Sequence, residues 1–233
     1  MNTLIVEKKD EVYLTVDCES DIQRELSEFF TFYVPGYKFM PAFRNRMWDG
    51  KIRLYSQKTK EIYFGLFPYI RAFAEERGYN IVSEEGVEVN NKVDKDVVKK
   101  FSNSLGQKFE ARDYQIDAIY HSLKFNRALL LSPTASGKSF IIYSLIRYYS
   151  HLIKDTPNNR ILLIVPTTSL VEQMYSDFES YGWNVKKNCH RLYSGYSNQT
   201  DKKVLISTWQ SLYKLPKKYF EQFGCVFGDE AHL

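Results

Sequence analysis

The chain has 233 residues, of which 44% are hydrophobic and 26% are charged, and this composition excludes a disordered or collagen-like protein. No apolar run reaches the roughly 18 residues that a membrane span needs, and residues 1–9 lack a signal-peptide pattern. Three widely spaced cysteines without a C-x-x-C pair predict reduced thiols. We therefore expect a cytoplasmic protein without a membrane partner.

The net charge of +4 is divided unevenly along the chain. Residues 1–90 carry 12 Lys and Arg against 15 Asp and Glu, whereas residues 91–233 carry 20 against 13. Within the acidic first part, residues 38–60 contain seven basic residues and a single acid, Asp49. Such a local basic patch predicts an anionic partner better than the overall charge does.

Residues 1–90 have the pattern of a small α+β domain. The apolar periodicity predicts strands over 4–7, 12–16 and 62–64 and helices over 21–30 and 67–77. Asp49-Gly50 favours a two-residue hairpin turn between strands within 43–55. The polar residues that follow predict a linker over 91–108, which includes a short helix over 94–105.

Strands and helices alternate after this linker, which predicts a mainly parallel, doubly wound α/β sheet over residues 109–233. The predicted helices cover 113–124, 138–150 and 169–181, and the predicted strands cover 127–131, 160–165, 189–193, 203–207 and 224–228. Two of these strands, 127–131 and 160–165, are nearly continuous apolar runs, as is typical of buried parallel strands.

The strand predicted over 127–131 leads into a phosphate-loop pattern that ends in Gly-Lys-Ser, and a predicted helix follows. Ser132 stands where the consensus has its first glycine. The backbone of the loop and the helix N-terminus would surround the phosphates of ATP. The predicted nucleotide-binding residues are Thr134, Ala135, Ser136, Gly137, Lys138 and Ser139. Lys138 would reach the β- and γ-phosphates, and the Ser139 hydroxyl would bind Mg²⁺.

An acidic pair follows the last predicted strand, in the sequence Asp229-Glu230-Ala231-His232. A carboxylate at a strand end can hold Mg²⁺ through water, and its neighbour can polarise an attacking water. We assign Asp229 to the metal and Glu230 to the water. Taken alone, the same residues would also suit a solvated acidic turn.

The hairpin predicted over 43–55 would place cations and aromatics on one face, because side chains alternate along a strand. These residues are Arg44, Arg46, Trp48, Lys51, Arg53 and Tyr55. Arg46 would lie opposite Arg53, an arrangement that a bound polyanion stabilises. We interpret this face as a DNA contact. The alternative is a solvated charged face on which Trp48 is half-buried.

The phosphate loop combined with Asp-Glu-Ala-His resembles the first motor lobe of superfamily 2 helicases and translocases. Residues 109–115 resemble their Q motif, which implies that Gln115 and Arg112 contact adenine. Residues 166–170 and 207–212 resemble motifs Ia and Ib. That resemblance implies nucleic-acid contacts by Thr167, Thr208 and Gln210.

The resemblance extends to the UvsW-type recombination and repair helicases of tailed bacteriophages, through residues 43–54 and 215–224. It implies a substrate-recognition domain followed by a RecA-like lobe, and an ATP-dependent motor that acts on branched DNA such as forks, Holliday junctions and R-loops. No second lobe follows motif II in this sequence, so we expect a fragment that hydrolyses ATP slowly unless another chain or segment supplies that lobe. A non-catalytic binding fragment, an RNA helicase lobe and a restriction-type translocase lobe are the alternatives.

Overall fold

The computed structural model describes residues 2–133 and 135–231. The chain divides into two compact units, one up to Asn90 and one from Asn91 onward, and each has its own apolar core. Among the described residues, none of the helices combines the length and the apolar run that a membrane crossing requires.

The first unit is a five-stranded sheet with helices and a small additional ribbon. Its elements in chain order are β1 (Thr3–Lys8), β2 (Tyr13–Asp17), α1 (Ser20–Phe29), β3 (Thr31–Tyr33), α2 (Pro41–Arg44), β4 (Lys51–Arg53), β5 (Tyr55–Ser56), β6 (Glu61–Tyr63), α3 (Phe67–Arg77) and β7 (Asn80–Ser83). The sheet has the order β5-β6-β2-β1-β7, and only β1 and β7 pair in parallel. β3 and β4 form the separate ribbon.

Alternation along the central strands builds the core of this unit. Leu4 and Val6 of β1 and Leu14 and Val16 of β2 are fully buried, while the residues between them face outward. Helices α1 and α3 add residues such as Leu26, Ile70 and Phe73 to the same core. The strands and helices predicted for this part of the chain therefore form close to the expected positions.

The predicted hairpin over 43–55 is wrong. The chain forms the short helix α2 and then strand β4, whose partner is β3 rather than the segment before Gly50. Arg46 has a left-handed φ of 56° outside any strand, so it does not lie opposite Arg53. Gly50 turns the chain with φ 80° and packs so closely on Tyr37 that a Cβ would lie 2.2 Å from that ring.

The second unit is an α/β layer structure. Its elements are α4 (Lys95–Asn103), α5 (Asp113–Phe125), α6 (Lys138–Leu152), β8 (Arg160–Val165), α7 (Thr168–Ser180), α8 (Val185–Asn188), β9 (Cys189–Leu192), β10 (Val204–Thr208), α9 (Trp209–Leu212), α10 (Lys217–Phe220) and β11 (Phe223–Gly228). The parallel sheet has the order β11-β8-β10-β9. The segment 91–108, predicted as a linker, contributes α4 and the core residues Val98 and Leu105 to this unit.

Both faces of the parallel sheet are covered, as the predicted doubly wound fold requires. Ile161 and Leu163 of β8 belong to the large core that includes α5, α6 and α7. Leu162, between them, belongs to a second cluster with Leu205 and Leu212, against which α10 also packs. Alternate residues of one buried strand thus serve two cores, which explains the continuous apolar sequence of β8.

The predicted strand over 127–131 does not form. This segment has no regular secondary structure and pairs with none of the strands among the described residues. Leu130 packs against the large core, whereas Leu129 and Leu131 are 79% and 92% exposed. An apolar run becomes a strand only when a neighbour completes its hydrogen bonds, and the described strands offer this segment no such neighbour.

Candidate nucleotide site and nucleic-acid surfaces

The carboxyl ends of three parallel strands bring separate parts of the sequence to one edge of the sheet. Val165 at the end of β8 lies opposite Thr208 at the end of β10. Asp229, just after β11, donates its backbone N–H to the carbonyl of Ile164 at 2.9 Å. The residues that follow these strands were predicted to bind nucleic acid or to form the acidic part of the nucleotide site. This edge is where ligands bind in open α/β sheets.

The phosphate loop and the acidic motif meet through an ion pair between Lys138 and Glu230, which are 92 residues apart in sequence. Lys138 is the first residue of α6, and the hydrogen bond that it donates to Glu230 raises the pKa of its ammonium group. The lysine is therefore positively charged and held at the loop. Thr134, which was also predicted to bind the nucleotide, lies outside the described residues.

Asp229 lies partly buried beside this ion pair. Burial raises the pKa of its carboxyl group, while the positive charge of Lys138 acts in the opposite direction. Glu230 takes a left-handed φ of 52°, which turns the chain between the two carboxylates. Such a turn is uncommon for a residue other than glycine and occurs often at functional sites.

Two of the described residues of the loop are left-handed. Ala135 has φ 63°, and Gly137 has φ 79° where it caps the start of α6. Ser132, at the position of the missing consensus glycine, hydrogen-bonds to the Ser136 hydroxyl at 2.5 Å. This side-chain contact joins the two ends of the loop, so the serine has a structural role that a glycine could not have.

Gln115 lies buried beneath the loop. Its Oε1 accepts from the backbone N–H of Arg112 at 3.0 Å, and its Nε2 donates to the carbonyl of Ser136 at 3.1 Å. Tyr114 donates to the same carbonyl at 2.8 Å and accepts from the Arg112 guanidinium at 3.0 Å. The predicted adenine-contacting residues are therefore tied to the loop that was predicted to bind phosphate. The sequence analysis did not foresee the contribution of Tyr114.

Ser139, the predicted magnesium ligand, hydrogen-bonds to the Tyr181 hydroxyl at 2.9 Å. Tyr181 follows α7 and packs among aromatic rings of other elements, with ring centroids 5.8 Å from Phe109, 5.5 Å from Phe140 and 5.2 Å from Tyr143. No sequence motif marks Tyr181, because only the packing of α7 against α6 brings it to the site.

These residues fit a magnesium–nucleotide complex. Gly137 leaves space beside Gln115 that a Cβ would fill. Lys138 supplies a positive charge, and the Ser139 hydroxyl and the Glu230 carboxylate lie on either side of Lys138. Within residues 2–133 and 135–231, no group of three or more His, Cys, Asp and Glu side chains could hold a metal ion. Ser139 and Asp229 are the residues predicted to hold Mg²⁺, and nucleotide phosphates and water would supply the other ligands.

The basic residues of the predicted hairpin face lie on two surfaces instead of one. Arg44, Arg46 and Trp48 line an open cleft of about 620 Å³ together with Lys38. Arg44 and Arg46 are exposed, and the Trp48 indole is fixed because its Nε1 donates to the carbonyl of Lys51 at 2.9 Å. This arrangement brings three of the predicted DNA-contacting side chains together.

Lys51 and Arg53 line a second, smaller cleft. The Lys51 ammonium lies 5.0 Å from the centre of the Tyr33 ring, and Arg53 forms an ion pair with Asp49. Tyr55 is excluded from both surfaces. It is buried in β5 with its hydroxyl donating to the carbonyl of Val16 at 3.2 Å, so its predicted role in DNA contact is wrong.

The predicted contacts of motifs Ia and Ib differ in accessibility. Thr167 is exposed and caps α7, since its hydroxyl accepts from the backbone N–H of Leu170 at 3.3 Å. Gln210 is also exposed. Thr208 is buried and its hydroxyl pairs with Ser211 at 2.9 Å, so its side chain positions the start of α9.

Comparisons with known protein families agree with this two-part organisation. Residues 4–84 match the family described as DNA helicase UvsW, N-terminal. Residues 108–233 match the family described as type III restriction enzyme, res subunit, which is a RecA-like domain.

Among characterised relatives, the chain is 36% identical over 230 residues to the ATP-dependent DNA helicase uvsW of Enterobacteria phage T4. It is 24% identical over 132 residues to the DNA 3'-5' translocase XPB2 of Sulfurisphaera tokodaii. The matches cover 95% and 55% of this chain but only 45% and 26% of those proteins. The chain thus spans less than half the length of the relatives it matches.

Solved structures give the same result. The UvsW helicase of bacteriophage T4 superposes on 99% of this chain in two structures, with TM-scores of 0.85 and 0.86 and identities of 32% and 33%. The match covers 83% of one solved chain and 48% of the other. The chain therefore belongs to the UvsW helicase family, with the UvsW N-terminal domain followed by a domain of the res-subunit family.

Proposed function

We propose that the chain is the DNA-recognition unit and first motor lobe of an ATP-dependent DNA helicase or translocase. The observation that carries this proposal is the ion pair between Lys138 and Glu230. It joins a phosphate-binding loop to a carboxylate suited to orient water, at the ligand-binding edge of a parallel sheet. Membership in the UvsW family adds support from sequence.

Each residue of the nucleotide site has a separate role in this proposal. When ATP enters, the Lys138 ammonium exchanges the Glu230 carboxylate for phosphate oxygens, because the two anions compete for one cation. Glu230 is then free to orient the attacking water. Ser139 and Asp229 would hold a magnesium ion, and its charge would stabilise the phosphates. Arg112, which is exposed beside Tyr114, would contact the adenine. Gln115 would contact it when its amide exchanges its bonds to Arg112 and Ser136 for the base.

The substrate in this proposal is branched DNA, including forks, Holliday junctions and R-loops, in recombination, repair and replication restart. The support is the family of the first unit and its exposed Arg44 and Arg46 beside an immobilised Trp48. Arginines bind phosphates, and an indole can stack on an unpaired base at a junction. Thr167 and Gln210 would contact the strand on the motor lobe. The site of action would be the cytoplasm of a phage-infected bacterium.

A second RecA-like lobe is the expected partner in this proposal. The phage T4 relative is more than twice as long as the matched region. An arginine finger from such a lobe can contribute about 10³- to 10⁵-fold to hydrolysis. We therefore expect this chain alone to bind ATP but to turn it over slowly.

The test is magnesium-dependent ATP binding and hydrolysis by the 233-residue chain, with and without forked DNA, beside Lys138→Ala. We expect ATP binding that requires Lys138, with slow turnover. Fast, DNA-stimulated turnover would contradict the need for a second lobe. Failure to bind ATP, or binding that Lys138→Ala leaves unchanged, would reject the proposed nucleotide site.

A further inference from the structure

Two large aromatic side chains are exposed directly after strand β10. Trp209 is the first residue of α9 and is 53% exposed, and Tyr213 follows the helix and is 79% exposed. The Tyr213 backbone N–H donates to the carbonyl of Trp209 at 2.9 Å, so the two residues lie one helical turn apart on the same side. Their Cα atoms are separated by about 6 Å along the helix axis.

The packing of α9 does not require these aromatics. Leu212 anchors the helix, because it is buried in the cluster with Leu162 and Leu205. Trp209 and Tyr213 stay outside this cluster in solvent. Because these two rings are exposed, they contribute little to the stability of the fold, and adjacent exposed rings are typical of a binding surface.

The charge around the pair favours an anionic ligand. Lys214, Lys217 and Lys218 are all exposed, and residues 209–220 contain no Asp or Glu. Among the ion pairs of the described residues, none involves these three lysines. The surface therefore combines free cations with exposed rings.

The position of the pair relates it to the ligand-binding edge. Trp209 directly follows Thr208, which lies opposite Val165 at the carboxyl ends of β10 and β8. Thr167, two residues beyond Val165, is exposed at the same edge. A strand that contacts Thr167 and Gln210 would thus pass beside the Trp209 ring.

We infer that Trp209 and Tyr213 form a stacking platform for the bases of a single nucleic-acid strand, whose phosphates contact Lys214, Lys217 and Lys218. This inference rests on the proposed function and adds to it a surface that holds bases rather than backbone. A surface of exposed rings beside cations binds single strands with little sequence preference, because every base has a face to stack. Loss of one ring removes stacking without removing charge.

The test is binding of the chain to an oligothymidylate of about 15 nucleotides over a series of salt concentrations. We expect Trp209→Ala and Tyr213→Ala each to weaken binding roughly five- to a hundredfold without changing the slope of log affinity against log salt. Lys217→Gln with Lys218→Gln should flatten that slope, by roughly 0.7 for each phosphate that a lysine no longer neutralises. Tyr69→Ala, which removes another exposed aromatic, is the matched control.

Tryptophan fluorescence gives a second measurement that does not depend on the alanine variants. Trp209 is the most exposed of the three tryptophans, so stacking should quench its emission, and Trp209→Phe should remove that part of the change, whereas Trp48→Phe should leave it in place. Unchanged affinity in both alanine variants, while the unaltered chain binds, would overturn the platform alone. No binding by the unaltered chain would reject the DNA part of the proposed function and the platform with it.

Discussion

Gln115 and Gly137 are packed so closely that a Cβ on residue 137 would lie 2.4 Å from the Gln115 Nε2. The same nitrogen donates to the carbonyl of Ser136 in the loop. The glycine thus has two functions: its φ of 79° allows the chain to enter α6, and its missing side chain leaves room for the glutamine. The residue assigned to adenine and the loop assigned to phosphate are therefore mechanically connected.

We expect Gly137→Ala to weaken ATP binding by more than about tenfold, because the methyl group both displaces Gln115 and strains the backbone by about 1–3 kcal/mol. Calorimetric titration with magnesium and a non-hydrolysable ATP analogue measures this. Gly65→Ala is the matched control, since nothing lies within 4 Å of its Cβ and its φ is not positive. ATP binding by Gly137→Ala at the unaltered affinity would contradict the packing argument.

Glu230→Gln should separate binding from hydrolysis. Loss of the carboxylate charge releases Lys138 from its ion pair, so we expect ATP affinity to stay the same or to rise a few-fold. Hydrolysis should fall by about 10²- to 10⁴-fold, because the amide cannot act as a base. Affinity is measured by titration, and turnover by phosphate release in the presence of forked DNA.

Asp229→Asn is the comparison for that variant. It leaves the Lys138–Glu230 pair in place but weakens the predicted metal site, so its ATP binding should lose magnesium dependence. A Glu230→Gln variant that binds ATP more weakly than the unaltered chain would show that the ion pair assists the nucleotide instead of competing with it.

Tyr181→Phe tests whether the hydrogen bond to Ser139 competes with magnesium. Removal of the hydroxyl frees the Ser139 side chain, while the phenyl ring keeps its contacts with Phe140 and Tyr143. We expect magnesium-dependent ATP affinity to rise by about two- to twelvefold, the equivalent of one ordinary hydrogen bond. Ser139→Ala should lower that affinity, and a fall in Tyr181→Phe as well would assign the tyrosine a supporting role.

The sequence predicted most of the second unit because its central strands, β8 and β10, are buried on both faces. The strand predicted over 160–165 matches β8 in full, since either face of that strand requires an apolar side chain. The segment 127–131 has an equally apolar sequence but forms no strand. An apolar composition predicts that a segment is buried. A strand also needs a neighbouring strand to complete its hydrogen bonds, and a local sequence pattern cannot reveal that neighbour.

The hairpin prediction failed for a related reason. The chain bends at Gly50 without the predicted two-residue hairpin turn, and the partner of Ile52 is Phe32, twenty residues earlier in the chain. A dipeptide signal assumes that the strands on either side of the turn pair with each other. The close packing of Tyr37 on Gly50 and the burial of Tyr55 depend on these distant contacts, so neither could be inferred from the alternation of cations and rings.

The three cysteines should be poorly reactive in the folded chain. Burial raises the pKa of the Cys18 thiol to about 11 and those of Cys189 and Cys225 to about 12, from an ordinary value of 9.0. At pH 8, a rise in the thiol pKa from 9.0 to about 12 lowers the reactive thiolate fraction about a thousandfold. Labelling by a thiol-specific disulfide reagent should therefore be slow and should accelerate in denaturant. Rapid labelling of Cys189 in the native chain, located by peptide mass spectrometry, would contradict its burial.

Charge reversal in the first cleft tests the DNA-recognition surface. Arg44→Glu with Arg46→Glu replaces two exposed cations beside Trp48 by anions, so we expect affinity for forked DNA at low salt to fall by at least about tenfold. Arg24→Glu with Lys58→Glu is the matched control, because it makes the same change in net charge at two exposed residues away from that cleft.

Two observations distinguish a specific surface from a general effect of charge. The cleft variant should lose more affinity for the fork than the control does. Trp48→Ala should weaken fork binding without changing its dependence on salt, because an indole neutralises no phosphate and so releases no counterion from DNA. Equal losses in the two double variants would show that net charge alone attracts DNA to this unit. The Trp48 indole would then be a structural group that holds the turn before β4 through its bond to Lys51.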